Sequence, residues 1–213
     1  MIIKKAKYVI KKMIRPTDRT KKYWKKVAAS KDVESVMEAI CDQFDKETFE
    51  TKKEALIFSQ NIKLDKKMKV LDLACGMGRT CKWVAPYVDE YVGIDFIPEM
   101  IKKAKEYNRE FKNARFVVND GKTLNILNVD YFDLTYSELA FQHMLKPVQE
   151  SYVNEIFRVL KKGGLFYVQI PRLEYYNDKT YSRTKKETDE LFQKFSVTYE
   201  NISDAYYNIK AKK

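Results

Sequence analysis

The sequence predicts an α/β fold on a mostly parallel sheet, and three observations carry that prediction. Short apolar runs rich in Val, Ile, Leu and Tyr alternate with helix-period segments between residues 69 and 170. The connections are short, with no internal repeat and no Gly/Ser linker. The first run, Val70-Leu71-Asp72-Leu73, ends in an acid and enters a polar helix start through Ala74-Cys75-Gly76-Met77-Gly78. Strands alternating with helices in this way form parallel sheets covered on both faces.

Taken in order, strands are expected near 69–74, 90–95, 115–119, 131–137 and 165–170. Helices are expected near 79–88, 98–110, 148–160 and 185–195, with two further β-like runs at 196–202 and 205–211. Ahead of the sheet, helical spacing predicts helices over 2–15, Thr20–Ile40 and Lys46–Asn61. A chain of 213 residues suits one domain with an N-terminal extension, drawn as 1–31 for the extension and 32–213 for the body.

Charge separates those two parts. The net charge is +11, and residues 1–31 hold twelve of the 41 Lys and Arg but one of the 30 acids, Asp18. The remaining 29 basic and 29 acidic residues cancel, so the charge balance does not indicate a basic groove for nucleic acid across the body. Ile2, Ile3, Ala6, Val9, Ile10, Met13 and Ile14 form an apolar stripe opposite Lys4, Lys5, Lys11, Lys12 and Arg15. Three readings stay open there: an anionic membrane surface met by residues 1–15, packing on the body, or a phosphate-binding arm for RNA. Three cysteines without Cys-x-x-Cys spacing suit a reduced, cytoplasmic protein without structural zinc or another metal. No apolar run approaches the roughly 20 residues that span a bilayer, and the start lacks a signal-peptide pattern.

The chemistry lies where strands meet loops. Two glycines at Gly76 and Gly78 let backbone N–H groups approach a ligand. Cys81 stands where a dinucleotide fingerprint would have its third glycine. The second run, Tyr91-Val92-Gly93-Ile94-Asp95, ends in a carboxylate 23 residues after Asp72, suited to accepting both hydroxyls of a ribose. Together these mark a nucleotide-cofactor site.

Four motifs in register, Asp72-x-Ala74-Cys75-Gly76-x-Gly78, Gly93-Ile94-Asp95, Asn119-Asp120-Gly121 and Leu160-Lys161-Lys162-Gly163-Gly164-Leu165, resemble the class I S-adenosylmethionine-dependent methyltransferases. The resemblance runs from about Lys69 to the C-terminus. It implies a Rossmann-like, seven-stranded sheet closed by an antiparallel C-terminal hairpin, with N-terminal helices that cap the cofactor. Tyr23, Trp24 and Phe49 are candidates for that lid, the lid proper being 32–62; plain core is the ordinary alternative for such aromatics.

The same resemblance implies that Asp72 reaches the methionine ammonium, and that Ala74, Cys75, Gly76 and Gly78 present backbone to the methionine and sulfonium. It places Asp95 on the ribose, Phe96 and Met100 beside the adenine, and Asn119, Asp120 and Gly121 around it, with Asp120 accepting from the adenine amino group. Ser137-Glu138-Leu139-Ala140-Phe141-Gln142-His143 is where this family faces the methyl group. His143, the single histidine, is a general-base candidate, with Glu138 as the second and loop support as the alternative role.

The acceptor is expected to meet Phe141, Gln142, Arg172, Tyr175, Tyr176, Tyr23 and Trp24. Tyrosines and amides suit a hydroxylated acceptor, and Arg172 suits a phosphate or carboxylate. The expected activity is methyl transfer to oxygen or nitrogen of a small-molecule or glycan-like acceptor. An RNA methyltransferase and a non-catalytic binding module are the alternatives. No Asn-Pro-Pro-Tyr-type segment for amino-directed base methylation follows the fourth strand, and no cysteine for covalent cytosine chemistry lies near it.

Overall fold

The computed structural model describes residues 17–29, 63–200 and 204–213. The amphipathic segment 2–15, the part of the second helix beyond residue 29 and the segment 46–61 with Phe49 lie outside those residues. The described elements are α1 (Thr17–Ala28), β1 (Lys69–Leu73), α2 (Cys81–Val84), β2 (Glu90–Asp95), α3 (Pro98–Tyr107), β3 (Ala114–Val118) and β4 (Phe132–Ser137). There follow α4 (Lys146–Val159), β5 (Leu160–Pro171), α5 (Leu173–Tyr176), α6 (Lys185–Leu191), β6 (Ser196–Glu200) and β7 (Tyr206–Lys212).

One seven-stranded sheet runs β3-β2-β1-β4-β5-β7-β6. The first five strands are mutually parallel, while β7 is antiparallel to β5 and to β6. The expected fold class, with its C-terminal antiparallel hairpin, is therefore present. Strand order reverses between β1 and β4, and ligands of such sheets bind beyond the carboxyl ends of the strands at that point.

Alternation along each strand builds two cores. Leu71, Leu73, Val92 and Ile94 face α4 through Tyr152, Val153, Ile156 and Val159. Val70, Tyr91, Leu134, Tyr136 and Tyr167 face the other way, against Val84, Ala85, Ile101 and Ala104. A third, smaller core joins α1 to the sheet's carboxyl end, with Val27 and Ala28 against Met77, Ile97 and Met100. The helix within the basic N-terminal region is thus packed on the body.

Several boundaries differ from the sequence expectation. The helix expected from Thr20 begins at Thr17, where polar residues follow Pro16, and gives way to a turn at Ala29. The helix expected over 79–88 is one turn, Cys81–Val84, continued as a 3-10 turn over Ala85–Tyr87. Pro86 has no amide hydrogen to donate to an α-helical carbonyl there. β5 starts at Leu160, directly after α4, because Leu160 already pairs with Phe132 across an irregular step in register. α6 stops at Leu191 and is opened by a capping box, Thr184 with Glu187.

Candidate functional site

The turn after β1 takes left-handed backbone three times, at Ala74 (φ 63), Gly76 (φ 55) and Gly78 (φ 72). A Cβ at Gly78 would lie 2.7 Å from both Asn108 Nδ2 and a Phe116 ring carbon, so the position accepts no side chain. Gly93 is equally closed, since a Cβ there would meet the Phe116 ring at 2.6 Å and Cys75 Sγ at 3.0 Å. Ala74 adopts a conformation that costs an L-residue roughly 1–2 kcal/mol.

The surroundings hold this strained turn. Cys75 N donates to Ile94 O (3.0 Å), and buried Asn108 donates from Nδ2 to Gly78 O and Ala104 O, both 3.0 Å. Asp95, at the end of β2, accepts Gly76 N on Oδ2 (3.0 Å) and Ile97 N on Oδ1 (2.9 Å). Burial pushes its pKa up to about 6 against the opposing pull of those amides. The carboxylate expected to take ribose hydroxyls is therefore also the brace of the glycine turn.

Asp72 is 4% exposed and surrounded by hydroxyls. Its Oδ2 accepts from Tyr91 OH (2.6 Å) and Thr80 Oγ1 (2.8 Å) and lies 3.1 Å from Tyr136 OH, which is itself 2.8 Å from Thr80 Oγ1. None of these three partners was expected from the sequence, because Tyr136 reaches Asp72 only through the β1–β4 register.

On the nucleoside side the expectations divide. Phe96 is half-buried against Gly121, whose Cβ would stand 3.2 Å from it. Met100 is 2% exposed and packs with Met77 and Ile97 beneath α1. Asn119 donates to Thr123 O and Tyr152 OH and accepts Gly121 N, which fixes the loop after β3. Asp120 is exposed, and its carboxylate accepts Lys122 N, Thr123 N and Thr123 Oγ1, capping its own turn.

After β4, Ser137 Oγ is committed to Leu73 O (2.9 Å), a strand-to-strand tie that occupies its proton. Glu138 is half-buried beside Leu139, which has φ 51. Phe141 is fully buried against Phe166 in the main core and supports the turn from beneath. Gln142 is half-buried, and its enclosed Oε1 has no hydrogen-bond partner among the described residues. His143 meets the edge of Trp24 at 5.3 Å between ring centroids. Desolvation lowers its pKa to about 4. Tyr23 and Trp24 are half-buried over Met77 and Met100, so α1 roofs this end of the sheet.

The loop after β5 stands beside that turn because Gln169 Oε1 accepts Leu139 N (3.1 Å) and its Nε2 donates to Asn208 Oδ1 (3.2 Å). Arg172 is half-buried above the Tyr207 ring (5.1 Å), Tyr175 is exposed, and Tyr176 OH bonds Tyr206 OH at 2.6 Å. Beneath lies a buried knot: Gln149 donates to Phe141 O, Met144 O and Tyr181 O and accepts Arg183 Nε (2.7 Å). The pairings of Tyr206 with Tyr176 and of Gln149 with Arg183 carry no local sequence signal, since these partners are some thirty residues apart in the chain.

The residues fit an adenosyl-sulfonium cofactor. The left-handed turn at Ala74, Gly76 and Gly78 sits at the end of β1 against the core, and the Asp95 oxygens together retain acceptor sites beyond the amides they already accept. A sheet of this order, with a glycine turn at the switch point braced by an acid from the next strand, defines a class I S-adenosylmethionine-dependent methyltransferase. A sequence model of the family described as a methyltransferase domain matches residues 64–211. The chain belongs to this family, and its cofactor is S-adenosylmethionine.

Relatives agree on the class. The chain is 32% identical over 114 residues to a sterol 24-C-methyltransferase of Debaryomyces hansenii, covering 52% of this chain and 29% of that one. It is 27% identical over 150 residues to phosphoethanolamine N-methyltransferase 3 of Arabidopsis thaliana, covering 69% and 29%. The matched stretches thus span less than a third of those enzymes' own length. In structure it resembles phosphoethanolamine N-methyltransferase 1 of Haemonchus contortus, solved with phosphoethanolamine and S-adenosylhomocysteine. That likeness has a TM-score of 0.69 at 16% identity and covers 92% of this chain and 48% of that one. A Haloferax volcanii methyltransferase in complex with its Trm112 activator gives a TM-score of 0.67 at 19% identity, covering 89% and 96%. At these identities the structural likeness establishes the fold.

Proposed function

We propose that this domain transfers a methyl group from S-adenosylmethionine to oxygen or nitrogen of a small, polar acceptor, of small-molecule or glycan-like type. The observation that carries the reading is the link from Gln169 to Leu139. It joins the turn holding Glu138 and His143 to the segment after β5 holding Arg172 and Tyr176, whose hydroxyl meets that of Tyr206 at the start of β7. An acceptor lying between them would meet hydroxyls and a guanidinium, donors suited to a hydroxylated or anionic group. The phosphoethanolamine N-methyltransferases among the relatives support a small polar acceptor methylated on nitrogen, while the sterol enzymes, which act at carbon, support the small-molecule class alone.

When bound, the cofactor supplies a methyl group already activated on a sulfonium. The chain's own residues would bind and align. Asp72 would meet the methionine ammonium, and the 74–78 backbone would lie along the methionine. Asp95 would take the ribose hydroxyls, with Phe96, Asn119, Asp120 and Gly121 around the adenine. Alignment of the acceptor then provides most of the rate. His143 is neutral at pH 7 and so able to accept a proton. A conjugate acid with a pKa near 4 makes it a weak base, which favours acceptors that are nucleophilic without assistance.

Residues 1–15 extend the proposal: their apolar stripe and lysines would hold a cytoplasmic enzyme at an anionic membrane face. Among the described residues no helix is long and apolar enough to cross a membrane. Co-sedimentation with anionic liposomes should be lost on deleting residues 1–16, and unchanged sedimentation would end this extension.

The test of the main reading is transfer of isotope-labelled methyl by the full chain to phosphoethanolamine, sterols, glycolipids and bulk RNA. Labelling of a small or glycan acceptor, weakened in Arg172→Ala, is expected. Labelling of RNA alone would overturn the acceptor class.

A further inference from the structure

Asp72 poses a physical problem that the fold answers in an unusual way. A carboxylate 4% exposed requires compensation for lost hydration. Compensation comes from hydroxyls carried by three elements: Tyr91 on β2, Tyr136 on β4 and Thr80 at the start of α2. All converge on the same oxygen, Oδ2, which fixes the carboxylate plane and its rotation about χ2. Burial and the neighbouring Asp72 charge hold both tyrosines well above the ordinary phenol pKa, so they remain O–H donors. Thr80 Oγ1 also meets Tyr136 OH at 2.8 Å, which closes the cluster into a connected network.

We propose that Tyr91, Tyr136 and Thr80 are positioning residues for the amino-acid end of the cofactor, aiming the Asp72 carboxylate at the methionine ammonium beneath the glycine turn. The proposal rests on the role given to Asp72 above. In a turn strained at Ala74 and closed at Gly78, a carboxylate free to rotate would lose the ammonium as often as it met it. The hydroxyl cluster removes that freedom before the ligand arrives, which is preorganisation.

The test compares two ligands that differ only at the amino-acid end: S-adenosylhomocysteine, and 5′-methylthioadenosine, which lacks the ammonium and carboxylate. Full-length wild type, Asp72→Asn, Tyr136→Phe, Thr80→Val and Thr80→Ser are titrated with both by calorimetry. Tyr136→Phe and Thr80→Val should each weaken S-adenosylhomocysteine about tenfold, as expected for losing a hydrogen bond to a charged group. Methylthioadenosine should be unchanged, and Thr80→Ser, which keeps the hydroxyl, should recover wild-type binding of both. Equal weakening of both ligands in Tyr136→Phe and Thr80→Val would reduce the cluster to scaffold and overturn the proposal. If Asp72→Asn discriminates between the ligands but the hydroxyl variants do not, the positioning role fails and the Asp72 role stands. If Asp72→Asn itself fails to discriminate, the Asp72 role fails and takes the proposal with it.

Discussion

The two halves of the sheet are built on different logic. From β1 to β3 the turn itself is shaped by backbone, with positive-φ residues, amides donated to a carboxylate and a glycine closed by a ring, and side chains such as the hydroxyls around Asp72 brace it locally. From β4 to β7 it is made of side chains reaching across the sheet: Gln169 to Asn208, Arg183 to Gln149, Tyr176 to Tyr206. A backbone site suits a ligand that never changes, since shape and amide direction are fixed once the turn forms. A side-chain site can be altered one residue at a time without disturbing the fold, which suits an acceptor that differs between relatives.

Substitutions can break that contrast. The largest effect is expected from Gly78→Ala, where φ is 72 and the new Cβ meets Asn108 and Phe116 at 2.7 Å. Strain and overpacking together should cost about 3–5 kcal/mol in urea unfolding and abolish cofactor binding. Next comes Arg183→Met, which leaves Gln149 Oε1 and Lys146 O without their donor in a buried knot. It should cost about 2–3 kcal/mol, while S-adenosylhomocysteine affinity stays within twofold; a large loss of affinity would mean the halves are not separable.

A pH titration sharpens the backbone half. The folded pKa of Asp95, about 6, lies above the ordinary 3.8. Its contribution to the stability of the ligand-free protein is therefore present below about pH 3.8 and lost as pH rises through about 6. The cofactor requires the opposite state, because a charged carboxylate accepts both hydroxyls. Affinity should fall by up to about tenfold per pH unit below pH 6, with proton release on binding near that pH. Asp95→Asn should flatten the profile. The smallest effect is expected at Ala74→Gly, where relief of φ 63 is partly offset by greater unfolded-chain entropy. A gain of about 0.5–1 kcal/mol in urea unfolding is expected.

The same contrast explains what the sequence made legible. Asp72, Gly76, Gly78 and Asp95 lie at strand ends and in one turn, so spacing alone locates them. Tyr91, Tyr136 and Thr80 were missed because their convergence on Asp72 depends on register between three strands. The burial of Phe141 is illegible for a related reason: an aromatic in such a turn reads the same whether it faces solvent or core, and its packing on Phe166 depends on a strand distant in the chain. The covering of Met100 by α1 is likewise illegible, because α1 is distant in sequence. Boundaries failed where one residue outweighed the pattern, as Pro86 does after Val84.

The central claim is that the glycine turn and Asp95 form one cofactor site. Its most direct test is calorimetric titration of the full chain with S-adenosylmethionine, comparing wild type with Asp95→Ala and using NADH as a control. Micromolar binding by wild type, lost in a folded Asp95→Ala and absent for NADH, is the predicted result. Unchanged affinity in Asp95→Ala, or a folded wild type that binds NADH instead, would contradict the account.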